Sequence, residues 1–359
     1  MSVVPSRHTA VGILNKNHKL ASFQVETPTP GPTDVLVKPT YTSHTPISLW
    51  QVDFAYLCDD IKIISGNIVG QVVAKGDEVK SVSIGEMVMG FSFGSPERSP
   101  MQEYVLAKEN YVSKIPPNLS PQEAVTIPDS FVSAYHTIAT ELGIPLPIKL
   151  PARAPEDADM PILVWGGSSS VGNYTLQILQ VAGYHNVIVT ASERSFVSLR
   201  PLAAHLVSYE DLSSAISTIL ARLPVTGPVM VIDCIGDASR TVEPIAKIVH
   251  GRKGSKVAVM LPVRVGGTGK TVGVEMEVNG DFGEGVEVLG VRTHFYEKNE
   301  AIQDVLQPSI MLDWVTQGYI KPMRMREIEG ETFLERCEKA MNEIRESRVR
   351  GEKLVTKVA

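Results

Sequence analysis

The stretch ILVWGGSSSVGNYTLQILQVAGY (162–184) constrains the chain most. Ile162 to Trp165 form a continuous apolar run, as expected of a strand covered on both faces. A Gly/Ser turn follows at once, and VGNYTLQILQVAGY (171–184) then reads as a helix. A strand that turns directly into a helix leaves backbone N–H groups at the helix N-terminus, where a pyrophosphate can be held. Gly167 and Gly172 occupy the first and third glycine positions of G-x-G-x-x-G, and Ser169 replaces the middle one. In this strand–turn–helix context the pattern points to a dinucleotide site. The alternative is a tight structural turn.

The alternation continues downstream. VIVTAS (187–192), MVIDCIG (230–236), KVAVML (256–261) and VEVLGVR (286–292) read as further strands, which predicts a parallel, doubly wound α/β sheet. Upstream, VGIL (11–14), DVLVKPTY (34–41), IVGQVVAKG (68–76) and EMVMGFSF (86–93) suggest a compact, mostly antiparallel β unit. Between the two regions, Ser120 and Glu123 form a capping-box signature, and Pro128 is expected to split 120–144 into two helices. Residues 146–161 read as an exposed loop and 262–285 as an irregular Gly-rich segment. Helices around 299–317 and 331–346 precede a last strand, KLVTKV (353–358). A length of 359 residues fits roughly two domains.

The end of the second buried strand bears on the choice of dinucleotide. An acidic residue about 20 positions after the motif would bind the ribose 2′-OH of NAD. Ser192 stands there, followed by Glu193, Arg194 and Ser195. A hydroxyl with a nearby cation suits a 2′-phosphate and favours NADP, whereas a shift of one residue would put Glu193 at the ribose.

Composition removes other classes. Lys plus Arg number 34 against 40 Asp plus Glu, a net charge of −6, so the chain lacks the basic balance of a nucleic-acid binder. The 3 cysteines are far apart and form no C-x-x-C, which argues against a disulfide framework or a zinc ribbon. No H-E-x-x-H occurs, and no metal site is expected. The start of the chain lacks a signal-peptide core, and no run approaches the ~18 apolar residues of a membrane span. The expectation is a cytoplasmic protein without a membrane partner. Two lookalike motifs fail. GGTGKT (266–271) has Arg264 where a P-loop needs its first glycine. GFSFG (90–94) matches a hydrolase nucleophile elbow around Ser92, but Pro96 and Pro100 oppose the helix that must follow.

Several ordered segments together carry a family resemblance: PGPTDVLVKP (30–39), GQVVAKGDEVKSVSIGEMVMGF (70–91), MQEYVLAKENYVSKIPPNLSPQEAVTIP (101–128) and GEKLVTKV (351–358). With the dinucleotide motif between them, the chain resembles the medium-chain dehydrogenase/reductase superfamily over nearly its whole length. The resemblance implies a GroES-like catalytic domain over 1–128, a Rossmann NADP-binding domain over 129–296 and a C-terminal return over 297–359. Where zinc members carry a Cys ligand and a G-H-E motif, this sequence has Ser43-His44-Thr45-Pro46 and Gly66-Asn67-Ile68. It is most similar to the zinc-independent branch of fungal trans-acting enoyl reductases, ToxD-like and quinone oxidoreductase-like proteins.

Roles follow from that resemblance. Gly167, Ser168, Ser169, Ser170, Val171 and Gly172 would line the pyrophosphate turn. Ser192, Arg194, Ser195 and Tyr209 would surround the 2′-phosphate. Ile235 with Gly236, and Leu261 with Pro262, would flank the adenosine and nicotinamide ends, and Ser133 would lie near the nicotinamide carboxamide. Trp50 and Tyr135 would line the substrate pocket, with Tyr56 or water as proton donor. The segment Thr45–Gln51 lacks the Lys that many members carry near the substrate, a departure that bears on polyketide-style enoyl reduction.

The implied activity is NADPH-dependent, metal-independent reduction of activated C=C bonds in enones, enals, enoyl thioesters or quinones. The substrate would be a small conjugated carbonyl compound, free or as a carrier-bound thioester. The alternatives are a zinc-free quinone reductase and a non-enzymatic NADPH-binding protein of the same superfamily. The missing ligands oppose a zinc alcohol dehydrogenase. Pairing through the VEVLGVR edge would give a homodimer. The 262–285 segment would block that pairing, and the monomer is preferred.

Overall fold

A computed structural model describes residues 4–58, 60–266 and 273–358. The chain divides into two compact units: Met1–Asp129 with Glu297–Ala359, and Ser130–Tyr296. Gly267 to Thr271 of the P-loop lookalike lie outside the described residues.

The first unit is built on β strands. Strands β1 (Arg7–Leu14), β2 (Ala21–Glu26) and β4 (Ile61–Ile63) form one antiparallel sheet in the order β2-β1-β4. A larger sheet is organised around β3 (Asp34–His44), which pairs with β5 (Ile68–Lys75) and with β7 (Val105–Lys108). Strands β6 (Met87–Gly90) and β8 (Val112–Lys114) extend it beyond β5. Apolar residues such as Val35, Val37, Val69, Val72 and Val88 are fully buried. The nucleophile-elbow reading of Ser92 fails structurally as well. Its hydroxyl is buried and donates to the Leu106 carbonyl at 3.0 Å, and a short 3-10 turn at Pro96–Arg98 stands where the elbow helix would start. The capping box forms as read. Glu123 N–H donates to Ser120 Oγ, Ser120 N–H donates to Glu123 Oε2, and the chain makes separate helices at Pro121–Ala124 and Pro128–His136.

The second unit contains the parallel sheet. Its strands are β9 (Ile162–Trp165), β10 (Val187–Ala191), β11 (His205–Ser208), β12 (Met230–Asp233), β13 (Lys256–Met260) and β16 (Glu287–Val291). They lie in the order β11-β10-β9-β12-β13-β16, all parallel. Counted from β9, this is the doubly wound order 3-2-1-4-5-6, whose direction reverses between β9 and β12. Every residue of β9 and β10 is buried, which explains their apolar character, interrupted only by Thr190. The helix Ser170–Ala182 ends at Gly183, whose φ of +89° suits a residue without Cβ. Within the segment 262–285, β14 (Val263–Val265) and β15 (Gly273–Glu275) pair antiparallel, a hairpin that the glycine-rich composition hides.

In the first unit the chain then returns through β17 (Met325–Glu327) and β18 (Lys353–Lys357). They are joined by the helix Phe333–Arg345, and β18 pairs with β3.

Candidate cofactor site

Parallel registers bring the strand ends of the second unit to one edge. Trp165 of β9 is paired with Thr190 of β10 and with Asp233 of β12, and Ala191 with Ser208 of β11. The residues just beyond these ends are Gly166, Ser192, Tyr209 and Cys234, and Leu261 follows β13. The candidate residues drawn from five separate sequence segments thus share the C-terminal edge of one sheet, where open α/β folds bind their ligands.

The turn after β9 is held from the side. Gly166 N–H donates to Thr190 Oγ1 at 3.0 Å and Gly167 N–H to the Thr190 carbonyl at 2.9 Å. Gly166 has φ +85°, so the left-handed residue lies one position before the motif frame. Gly167 is needed for packing, because a Cβ there would lie 2.2 Å from Val189 Cγ1. At Gly172 a Cβ would lie 2.3 Å from the Gly166 carbonyl oxygen. Ser169, in place of the middle glycine, is the N-cap of the helix, and its Oγ accepts from Gly172 N–H at 3.0 Å. The first i→i−4 bond of the helix runs from Asn173 to Ser169. The N–H groups of Ser170 and Val171 precede it, at the positive end of the helix dipole. Ser168 to Val171 are all partly exposed. This turn fits a pyrophosphate.

At the end of β10, Ser192 is buried and its Oγ lies 3.2 Å from Ser195 Oγ, while Arg194 Nε donates to it at 3.3 Å. Arg194 and Glu193 are exposed. Tyr209 continues the strand paired with β10 and packs against the unit's core. The structure therefore gathers two hydroxyls and a guanidinium at this strand end.

Across the reversal point, Ile235 lies over Gly166, where a Cβ would meet its Cγ1 at 2.5 Å. Leu261 lies over Gly290 in the same way, and its N–H donates to the Val291 carbonyl at 3.1 Å. Sequence reading missed Asp233. This fully buried carboxylate accepts from Ile235 N–H at 2.9 Å, from Gly236 N–H at 3.1 Å and from the Thr241 hydroxyl. The available signal was an acidic residue ending a strand in which its neighbours are apolar, since a buried carboxylate demands partners. Gly166 was also missed, though the Gly-Gly pair marks it.

Ser133 is buried with its hydroxyl 2.7 Å from Thr293 Oγ1. Tyr135 is buried too. Its hydroxyl lies 3.4 Å from the Pro147 carbonyl, and burial pushes it up to about 12. In the first unit, Trp50 lies in the helix Pro46–Asp53 and is largely buried, while Tyr56 follows that helix, partly exposed. Tyr56 N–H donates to the Trp50 carbonyl at 3.3 Å.

The positions read as lost zinc ligands are engaged otherwise. His44 Nε2 lies 2.9 Å from Thr356 Oγ1, and burial pushes its imidazole down to about 3. The Asn67 amide donates to the Val125 carbonyl at 2.9 Å and to Asp129 Oδ1 at 2.8 Å. Among the described residues, no group of three or more His, Cys, Asp or Glu side chains is placed to hold a metal ion. None of the described helices is long and apolar enough to cross a membrane.

No family model matches the sequence. A trans-enoyl reductase of Aspergillus terreus, tazE, is 30% identical over 265 residues, covering 70% of this chain and 84% of the relative. Among solved structures, the CurK enoyl reductase superposes with a TM-score of 0.74 at 16% identity, covering 98% of this chain and 99% of that one. A mycobacterial protein in complex with NADPH superposes with a TM-score of 0.71 at 18% identity, with coverages of 98% and 99%. These likenesses agree with a GroES-like unit joined to a Rossmann unit, and the chain belongs to the medium-chain dehydrogenase/reductase superfamily of oxidoreductases, with a fungal trans-enoyl reductase among its relatives.

Proposed function

We propose that the protein is an NADPH-dependent, metal-independent reductase of conjugated C=C bonds. The observation that carries the cofactor choice is the Ser192–Arg194–Ser195 cluster beyond β10. Its hydroxyls and guanidinium suit the 2′-phosphate, and the buried residue at the strand end is Ser192, with Glu193 exposed one position beyond it. The NADPH in the mycobacterial neighbour and the activity named for the Aspergillus terreus relative support the same reading.

When bound, NADPH supplies hydride for the electron-poor β-carbon of the alkene. The Gly166–Gly172 turn and the N–H groups of Ser170 and Val171 would hold its pyrophosphate, and Ile235 and Leu261 would flank its adenosine and nicotinamide ends. Tyr56, partly exposed, is the candidate hydroxyl for protonating the α-carbon of a conjugated substrate, free or presented as a carrier-bound thioester, whereas Trp50 and Tyr135 are buried and offer it no open face.

Titration with both cofactors tests the first part. Arg194→Glu should weaken NADPH by about 1–3 kcal/mol and leave NADH nearly unchanged, as expected when a charge-assisted contact to the 2′-phosphate is lost. Equal weakening of the two would reject the assignment. For the reaction, enones and enoyl thioesters should oxidise NADPH much faster than saturated aldehydes. The reverse order would reject ene reduction, and no turnover of any class would favour a non-enzymatic NADPH-binding protein.

A further inference from the structure

Asp233 is buried, yet it ends a strand at the ligand-binding edge of the sheet, and the role proposed for the cofactor site does not use it. Its Oδ1 accepts two consecutive backbone N–H groups, those of Ile235 and Gly236, and its Oδ2 accepts the Thr241 hydroxyl. Those two N–H groups shape the turn that places Ile235 over Gly166. Gly236 has φ +63°, and a Cβ there would lie 2.4 Å from the Met260 carbonyl oxygen, so this turn also abuts the end of β13. One carboxylate thus ties together the ends of β9, β12 and β13, around the point where the sheet reverses.

We infer that Asp233 is a positioning residue for the dinucleotide: its ionised carboxylate fixes the Ile235–Gly236 turn in the shape that receives the cofactor, and adding a proton to it weakens binding. The inference rests on the dinucleotide reading above and names the side chain on which the geometry of that site depends. Charge-assisted hydrogen bonds are roughly twice as strong as neutral ones, so the neutral acid holds the two N–H groups less firmly.

The surroundings allow this proton to move near neutrality. Burial pushes the Asp233 carboxyl up to about 6, opposed by the Thr241, Gly236 and Ile235 hydrogen bonds and by the charge of Arg264. Arg264, on β14, is itself paired with Asp237 at 3.3 Å. The neighbouring Cys234 thiol is pushed up by burial and stays neutral. Arg240, Glu243 and Lys247 on the following helical segment are exposed, and the flanking residues Trp165 and Val259 do not titrate. A carboxyl raised in the folded state contributes most to stability below its unfolded value of 3.8, and that contribution is lost as pH rises through about 6. At pH 7.5 the ionised Asp233 therefore costs stability while it orders the site. Affinity and stability should respond in opposite directions when the charge is removed, which a purely structural role would not produce.

The test titrates the full chain with NAD⁺, which lacks the titrating 2′-phosphate, by calorimetry between pH 5 and 8. Wild-type Kd should rise about fivefold from pH 7.5 to pH 5. Asp233→Asn should show a Kd about fivefold above wild type at pH 7.5 and no pH dependence, with an unfolding midpoint no lower than that of wild type. A flat wild-type profile, or an Asn variant that matches wild type in Kd and profile, would overturn the inference alone, as would parallel loss of stability and affinity in the Asn variant. Failure of wild type to bind either NAD⁺ or NADP⁺ would overturn the cofactor reading and this inference with it.

Discussion

In the first unit, the buried Asn67 amide and Lys353 ammonium are satisfied by the partly exposed Asp129 carboxylate. Asn67 Nδ2 donates to Asp129 Oδ1, Asn67 Oδ1 accepts from Asp129 N–H at 2.9 Å, and Lys353 Nζ pairs with Asp129 Oδ1. Asn67 is fully buried and Lys353 almost so. At the sheet edge of the second unit, comparable polar groups are arranged differently. Ser169 and Asp233 spend their side chains on the local backbone, while Ser168, Ser170 and Arg194 remain at least partly exposed. The first cluster closes on itself and leaves little for a ligand. The second uses side chains to shape a turn whose residues Ser168 to Val171 stay partly exposed. Burial of polar groups alone does not mark a binding site. What marks it here is donors left over after the local framework has been satisfied.

The sharpest test removes the shared partner in the closed cluster. Asp129→Ala would leave Lys353 buried without its counter-charge and the Asn67 amide short of an acceptor. Burial already pushes the Lys353 ammonium below its usual range, against the opposing charge of Asp129. Breaking a buried pair by deleting one member costs about 3–5 kcal/mol, and urea unfolding should show a loss of that order. NADPH affinity, measured where the variant is still folded, should stay within about twofold of wild type, well under the 1.4 kcal/mol of a tenfold change. A large loss of affinity without a loss of stability would erase the distinction between the two clusters.

The same contrast explains what could be read in advance. The buried strand ILVW announces itself by an unbroken apolar run, VIVTA by its β-branched and apolar composition, and the Ser120–Glu123 box by its spacing. Parallel pairing in the second unit follows from the alternation of strands and helices, because parallel neighbours need crossovers, whereas the order β11-β10-β9-β12-β13-β16 is a finding of the structure. Asp233 and Lys353 were hidden for a common reason. Each is a charged residue at the end of an apolar strand, and local pattern treats such an end as solvent-facing. Their partners show how each is held: Thr241, eight residues on, for Asp233, and Asp129, distant in sequence, for Lys353. The positive φ at Gly166 was displaced by one residue from the motif frame because two adjacent glycines divide the work: one makes the turn and the other admits Val189.

A smaller effect is expected at the open edge. In Gly172→Ala the new methyl would meet the Gly166 carbonyl oxygen at 2.3 Å and the Gly167 Cα at 2.9 Å. Both are backbone atoms, so the turn itself must shift. Such overpacking costs about 1–3 kcal/mol, read as a lower unfolding midpoint. Because the displaced atoms belong to the proposed pyrophosphate turn, NADPH affinity should fall by at least tenfold, about 1.4 kcal/mol. If stability fell but affinity held, the edge of the second unit would be as closed a framework as the cluster in the first.

The smallest effect separates the two duties of a single side chain. Ser169 caps the helix by accepting from Gly172 N–H, which takes one donor away from any anion at that terminus. Ser169→Ala removes the cap and should cost about 1 kcal/mol of stability, because no side chain then satisfies that N–H. Ser169→Gly restores the middle glycine of the dinucleotide pattern. A glycine N-cap costs only a few tenths of a kcal/mol relative to serine, so this variant should unfold close to wild type. It also frees the Gly172 N–H to join those of Ser170 and Val171 toward a pyrophosphate. The Gly variant should therefore bind NADPH as well as wild type or better, while the Ala variant, which loses the hydroxyl, keeps a Cβ and is a poor N-cap, should not gain. Calorimetric Kd values and urea midpoints for the pair decide it. If both variants lose stability and affinity in proportion, Ser169 serves only the helix, and the donors of this turn do not form the open set that distinguishes the second unit.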